Sequence, residues 1–94
     1  MNQVQVRGKF PLGQIVSTKN AVDTLDPNDV LAAIHRHAQC DWGELSEDDR
    51  ALNDLSLEDE GRLLSAYTDS RGTKFWVITE WDRSVTTVLL PEDY

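Results

Sequence analysis

The last third of the chain constrains the fold most. From Arg62 onward it reads "RLLSAYT", "DSRG", "TKFWVITE", "WDRS" and "VTTVLL". Three runs rich in β-branched and aromatic residues are joined by links of turn-forming residues. Links this short leave no room for a crossover, so successive strands pair antiparallel, as a meander. Phe75, Trp76, Val77 and Ile78 are apolar on both faces. Their strand is therefore central and covered twice, or covered once and partly exposed.

A sheet with an apolar face needs a partner layer, and the upstream sequence supplies helices. "LDPNDV" carries the clearest helix start. Asp26 is the expected N-cap, Pro27 suits the first helical position, Asp29 lies in the favourable first turn, and Leu25 and Val30 are spaced as a hydrophobic staple. The helix runs to about Ala38, with Val30, Leu31, Ile34 and Ala38 on one face. "DWGEL" interrupts the helix, and Gly43 is a natural stop or turn residue. Ser46 then caps a second helix that begins with Glu47, Asp48 and Asp49 and carries a thin apolar stripe of Ala51, Leu52 and Leu55. A turn of helix at "NAVDTL" and a short strand at "LGQIVST" precede these elements.

The expectation is an α+β fold, with two or three N-terminal helices packed on an antiparallel sheet that ends in the three-stranded meander. Ninety-four residues suit a single domain, read as 10–94, preceded by an arm or edge strand over 1–9 in which Val4 and Val6 alternate with polar residues. The longest apolar runs, "WVI" and "VLL", are far too short to span a membrane. No secretory leader pattern opens the chain, and Cys40, the sole cysteine, has no partner for an internal disulfide. A cytoplasmic location is expected.

Charge is the most informative part of the composition. The net charge is −8, and the segment from Asp41 to Glu60 holds nine acids against one base, Arg50. The remaining acids and bases cancel. A field so localised repels phosphate backbones and attracts basic surfaces, which argues against direct DNA binding and for a protein partner with a basic surface. The candidate partner-binding residues are Asp41, Trp42, Glu44, Glu47, Asp48 and Asp49. Trp42 reads either as a core anchor or as an exposed hot spot, with the core slightly favoured.

Two other groupings bear on chemistry. His35, His37, Cys40 and Asp41 are ligand types for zinc, but histidines two apart on a helix point roughly 200° from each other and no second Cys/His pair exists. Neither a metal nor another cofactor is expected. His35 and His37 fall on opposite shoulders of the helix. The second grouping is "TEWDRSVTT", where Glu80, Arg83, Ser84 and Thr86 surround a tight strand connection. Its bland reading is turn chemistry. Its functional reading is a phosphodiester site, Arg83 stabilising charge, His35 or His37 moving protons, and Glu80, Ser84 or Thr86 assisting.

The segments "FPLGQIVST", "DWGEL", "RLLSAY" and "WVITEWDRSVTTVLLPEDY" resemble a family of small bacterial proteins carried on plasmids and integrative elements, labelled plasmid-related proteins. The resemblance covers nearly all of Phe10 to Tyr94. This chain departs at "AQCDWG", where a glycine is expected before the Asp-Trp pair, and at Trp81, where a small residue is expected. The resemblance implies a mobile-element setting and no particular activity. The order of elements is similar, more loosely, to that of the barnase, colicin and RelE-like ribonucleases.

Two functions follow as expectations. The first is a mobile-element accessory protein, not an enzyme, that binds through the acidic helix-loop surface, inhibition of a nucleic-acid-binding host defence protein being one concrete form. The second is a small ribonuclease-like toxin or RNA-processing enzyme using the His/Arg/Glu set, with RNA as its partner. A structural or regulatory subunit that pairs with its own copy through an edge strand is a third.

Overall fold

The computed structural model describes residues 8–94. The expected arm over 1–9 falls mostly outside them; Gly8, Lys9 and Phe10 run as irregular chain. In chain order the elements are β1 (Gln14–Ser17), α1 (Lys19–Thr24), α2 (Pro27–Ala38), α3 (Glu47–Asp59), β2 (Leu63–Thr68), β3 (Lys74–Thr79), β4 (Val85–Leu89) and a 3-10 turn (Pro91–Asp93). The fold is α+β, with a four-stranded sheet ordered β1-β4-β3-β2.

β2, β3 and β4 form the meander, and β3 is central. The sheet is mixed rather than antiparallel, because β1 pairs parallel with β4, Ile15 beside Thr86 and Ser17 beside Val88. All three helices and the other two strands lie between β1 and β4 in the chain, so their connection crosses over, as a parallel pair requires. Gly13 permits the approach of β1 to the β3–β4 turn. Its φ is 66° and a Cβ there would lie 2.3 Å from the Ser84 carbonyl oxygen.

Asp26 caps α2 by accepting from the Asn28 amide at 2.8 Å. The end of α2 departs from expectation. Cys40, not Gly43, takes the left-handed conformation that closes the helix, with φ 64°. The Cys40 amide donates to the His37 carbonyl and the Asp41 amide to Arg36, the pattern of a Schellman motif. Ser46 caps α3 by accepting from the Asp49 amide at 3.2 Å.

The helices cover one sheet face. Leu63 and Tyr67 of β2, Phe75 and Val77 of β3, and Val88 of β4 point into a core with Phe10, Leu12, Leu25, Ile34 and Trp42. On the other face, Ile78 and Leu89 are buried, and the Tyr94 ring packs edge-on against Trp76 at 5.7 Å. Thr18 caps α1 and also donates to Asp93 at 2.6 Å, tying the C-terminal turn to the first helix.

The outer edge of β2 is sealed by side chains and loop backbone. Asn53 of α3 donates to the Leu64 carbonyl at 2.7 Å and accepts from the Leu64 amide at 3.1 Å, as a neighbouring strand would. Two residues along, the Ala66 amide donates to Trp42 and the Glu44 amide donates to Ala66. Gly43 makes this contact possible, since a Cβ there would lie 2.0 Å from the Ala66 carbonyl oxygen.

Candidate functional site

The two histidines have different fates. His35 is exposed, whereas His37 is fully buried, so one ion cannot reach both. Ser65, Thr79 and Thr86 stand at inward positions of three successive strands, in phase with Tyr67, Val77 and Val88. All three are fully buried. His37 Nδ1 meets the Ser65 hydroxyl at 2.5 Å and Nε2 meets Thr79 at 2.9 Å. Thr79 and Thr86 are 2.7 Å apart, and Thr86 donates to the Leu12 carbonyl at 2.6 Å.

This chain of bonds fixes every proton in it. The Leu12 carbonyl only accepts, so Thr86 spends its hydrogen there and must accept from Thr79. Thr79 in turn accepts from His37, which places the imidazole proton on Nε2. Nδ1 is then an acceptor for Ser65. The result is a neutral imidazole with both nitrogens satisfied, walled by the edges of Phe10 at 5.3 Å and Trp42 at 5.7 Å. Burial, with a smaller contribution from the Arg83 charge, pushes the His37 pKa down to about 4.

Arg83 is a neighbour of this network through Phe10, whose ring lies 5.9 Å from the guanidinium. It faces backbone, however. Nη1 donates to the carbonyls of Gly61 at 2.6 Å and Glu80 at 3.0 Å, and Nη2 to Ser56 at 2.9 Å. Two of these carbonyls lie at the C-terminal end of α3, where a cation offsets the helix dipole and the last turn holds no basic residue of its own. Arg83 also takes a left-handed φ of 61° in the β3–β4 link. The Glu80 carboxylate pairs with Arg62 at 3.3 Å, and the Ser84 hydroxyl donates to Asp82 at 2.6 Å.

The six residues assigned to phosphodiester chemistry thus do not form one open constellation. His35 stands on the exposed side of α2, His37 and Thr86 are sealed inside, Arg83 clamps carbonyls, and Glu80 and Ser84 are engaged with Arg62 and Asp82. Turn and core chemistry account for each of these contacts.

The acidic segment has a different character. Asp41 is exposed and forms a two-pronged ion pair with Arg36 at 2.7 and 3.2 Å, which holds its carboxyl below the ordinary value of 3.8. Glu44 is exposed and accepts from Thr68 at 2.9 Å. Trp42 is 4% exposed, a core anchor whose indole N–H faces Asp54 at 3.4 Å. Glu47, Asp48 and Asp49 project from the first turn of α3 into solvent.

The apolar stripe of α3 points the other way from the expectation. Leu52 and Leu55 are 60% and 57% exposed, while the buried residue of the helix is Asn53. Asp48, Leu52, Leu55 and Asp59 follow one another at helical spacings of four, three and four, so two exposed leucines are bracketed by acids on one face. A small depression of about 170 Å³ lined by Leu45, Asp49, Leu52, Asn53, Arg62 and Leu64 adjoins this stripe. The leucines themselves were visible in the sequence; their direction depended on Asn53 taking the sheet-facing position.

Comparison with known proteins finds no match for this chain among protein-family models, curated proteins or solved structures. Among the described residues, no helix is long and apolar enough to cross a membrane.

Proposed function

We propose that the protein is a binding module, not an enzyme, and that the outward face of α3 is its contact surface. The observation that carries this reading is the exposure of Leu52 and Leu55 between Asp48 and Asp59. An exposed apolar pair costs solubility without a role, and a rim of carboxylates adds charge selectivity to apolar affinity. The chemistry of the partner follows: an apolar groove with a basic border. Asp41, Glu44, Glu47 and Asp49 extend the negative rim, while Trp42 supports it from within. A nucleic-acid-binding protein has such a border, and the resemblance to plasmid-borne proteins makes a host defence protein one concrete partner.

The burial of His37 and the engagement of Arg83 favour this reading over the ribonuclease alternative, in which RNA would have to reach both. The test is a pull-down from host lysate with wild type, with Leu52→Ser/Leu55→Ser, and with Glu47→Gln/Asp48→Asn/Asp49→Asn. The reading expects a captured protein lost in the leucine variant and weakened in the charge variant, more so as salt rises. Identical capture by all three overturns it. Cleavage of RNA by wild type but not by His35→Ala or Arg83→Ala, with the circular dichroism of the variants unchanged, would install the alternative.

A further inference from the structure

The two edges of the sheet are treated differently. The β2 edge is closed by Asn53 and by the backbone of Trp42 and Glu44, whereas among the described residues β1 ends the sheet on the other side. The Gln14 amide donates to Ser84 and the Thr18 amide to Val88, each at 3.0 Å. In an extended chain the alternate residues face the opposite way, so Ile15 and Ser17 direct their amides and carbonyls away from β4. Beside them lies an apolar groove of about 330 Å³ lined by Ser17, Ala21, Leu25, Val30, Leu31 and Ile34. Ile15 is 44% exposed and Val16 36%.

We infer that this edge joins two copies of the chain, β1 pairing antiparallel with β1 of the second copy to make one continuous eight-stranded sheet. The outward peptide groups select the register. Ile15 opposite Ser17 of the second copy, and Ser17 opposite its Ile15, forms two fully hydrogen-bonded pairs about a two-fold axis at Val16, four main-chain bonds in all. The side chains then fit without further adjustment. Opposite residues share a face, and Ile15 and Ser17 both lie on the helix side, so each Ile15 comes to rest over the Ser17 that lines the other copy's groove. An apolar cavity of about 150 Å³ admits benzene, so the groove has room for the four-carbon side chain.

Charge points to the same occupant. The groove is lined by apolar residues and one serine, which gives a charged peptide nothing to pair with. α3 packs on β2, the far edge, so pairing through β1 sets the two acidic segments about seven strand spacings apart, roughly 33 Å. That is several Debye lengths at physiological salt, so the excess charge of one copy does not oppose the other. Both α3 faces stay free.

Light scattering and sedimentation of the full chain over a rising concentration series decide the matter. The expected outcome is a species of twice the 10.6 kDa chain mass. Ile15→Lys and Ser17→Pro, the latter removing only an outward amide, should be monomeric at the same concentrations with unchanged circular dichroism, whereas Leu55→Ser should remain dimeric. In a Cys40→Ser background, Val16→Cys should oxidise to a covalent dimer, since residues facing each other across the axis come to about 4.5 Å between Cα atoms. Gln14→Cys should not. A wild type that is monomeric throughout overturns the inference. If that monomer becomes dimeric once residues 1–7 are deleted, it is overturned in favour of that segment as the occupant of the edge. A dimer that survives both Ile15→Lys and Ser17→Pro overturns it equally.

Discussion

The β2 side of the molecule and its β1 side are held by different forces. On the β2 side, side chains stand in for missing backbone. Asn53 completes β2, Arg83 caps α3, and Arg50 donates to the Gly43 carbonyl at 2.6 Å. His37 bridges β2 to β3 and, through Thr79, reaches β4. On the β1 side α1 is tied to the C-terminal turn only at its start, where Thr18 and Asn20 donate to Asp93 at 2.6 and 2.7 Å. There α1 and α2 meet across an apolar groove, and among the described residues the strand edge, Val22 and Leu31 are open to solvent. Directional polar bonds give one arrangement and penalise every other, because a buried group that loses its partner keeps its desolvation cost. Apolar contact tolerates exchange of partners. The rigid side therefore displays the acidic helix in a fixed position, while the open side is the place where the sheet can be extended.

The largest effect expected from breaking this contrast is at His37. His37→Ala leaves a cavity inside the core and removes the acceptor of Ser65, together about 3–5 kcal/mol, a large share of what a domain of this size possesses. Chemical denaturation should show the variant near or beyond its unfolding threshold. Leu31→Ala on the open side should cost under about 1 kcal/mol, since Leu31 is already 39% exposed. Equal losses at the two positions would erase the distinction.

Acid should open the same side first. The folded-state pKa of His37 is depressed from 6.5 to about 4. Above 6.5 both folded and unfolded chains hold it neutral. Between 6.5 and 4 the unfolded chain takes up a proton that the folded chain refuses, so stability falls throughout that window, by about 3 kcal/mol in total. Asp41 and Asp93 are held below 3.8, so their contributions are lost at lower pH. Urea midpoints measured from pH 7 to pH 4 should decline in wild type and stay level in His37→Gln. A level wild-type profile would mean that the imidazole is not sealed.

Much of the fold was legible because its signals are local. Asp26 and Pro27 started α2, Ser46 started α3, and three β-rich runs with short links could only be a meander. What escaped depended on contacts distant in sequence. β1 pairs parallel with a strand at the other end of the chain, and nothing in "QIVS" names that partner. Ala51, Leu52 and Leu55 had the spacing of a buried stripe, yet two backbone bonds to Leu64 made Asn53 the better sheet-facing residue. For the candidate site, the exposed acids of α3 could be read directly. The His37 network left a fainter trace: Ser65, Thr79 and Thr86 are polar residues in the buried phase of their strands, which requires a buried partner. Only the packing of α2 identifies that partner as His37 instead of His35.

Asn53 offers the next smaller test. Asn53→Ala strips both bonds from Leu64 and uncovers the β2 edge, at an expected cost of about 2 kcal/mol. The sharper readout is association. With its second edge unsealed, the variant should aggregate through β2 near its folding midpoint, whereas wild type remains free of such species. Clean unfolding without association would show that the loop at Trp42–Glu44 is sufficient to guard the edge.

The smallest expected effect has the opposite sign. Cys40 closes α2 in the left-handed region at φ 64°, a conformation that costs a residue with a Cβ and costs glycine little. Cys40→Gly should relieve that strain, while giving up the modest apolar contact of a half-buried thiol and gaining flexibility in the unfolded chain. The balance is a stabilisation of about 0.5 kcal/mol, read as a small rise in the urea midpoint with an unchanged slope. Because the turn at Cys40 leads directly into the Trp42–Glu44 seal, a destabilised glycine variant would mean that the thiol's packing, not the backbone bonds of the Schellman turn, holds the guarded edge in place.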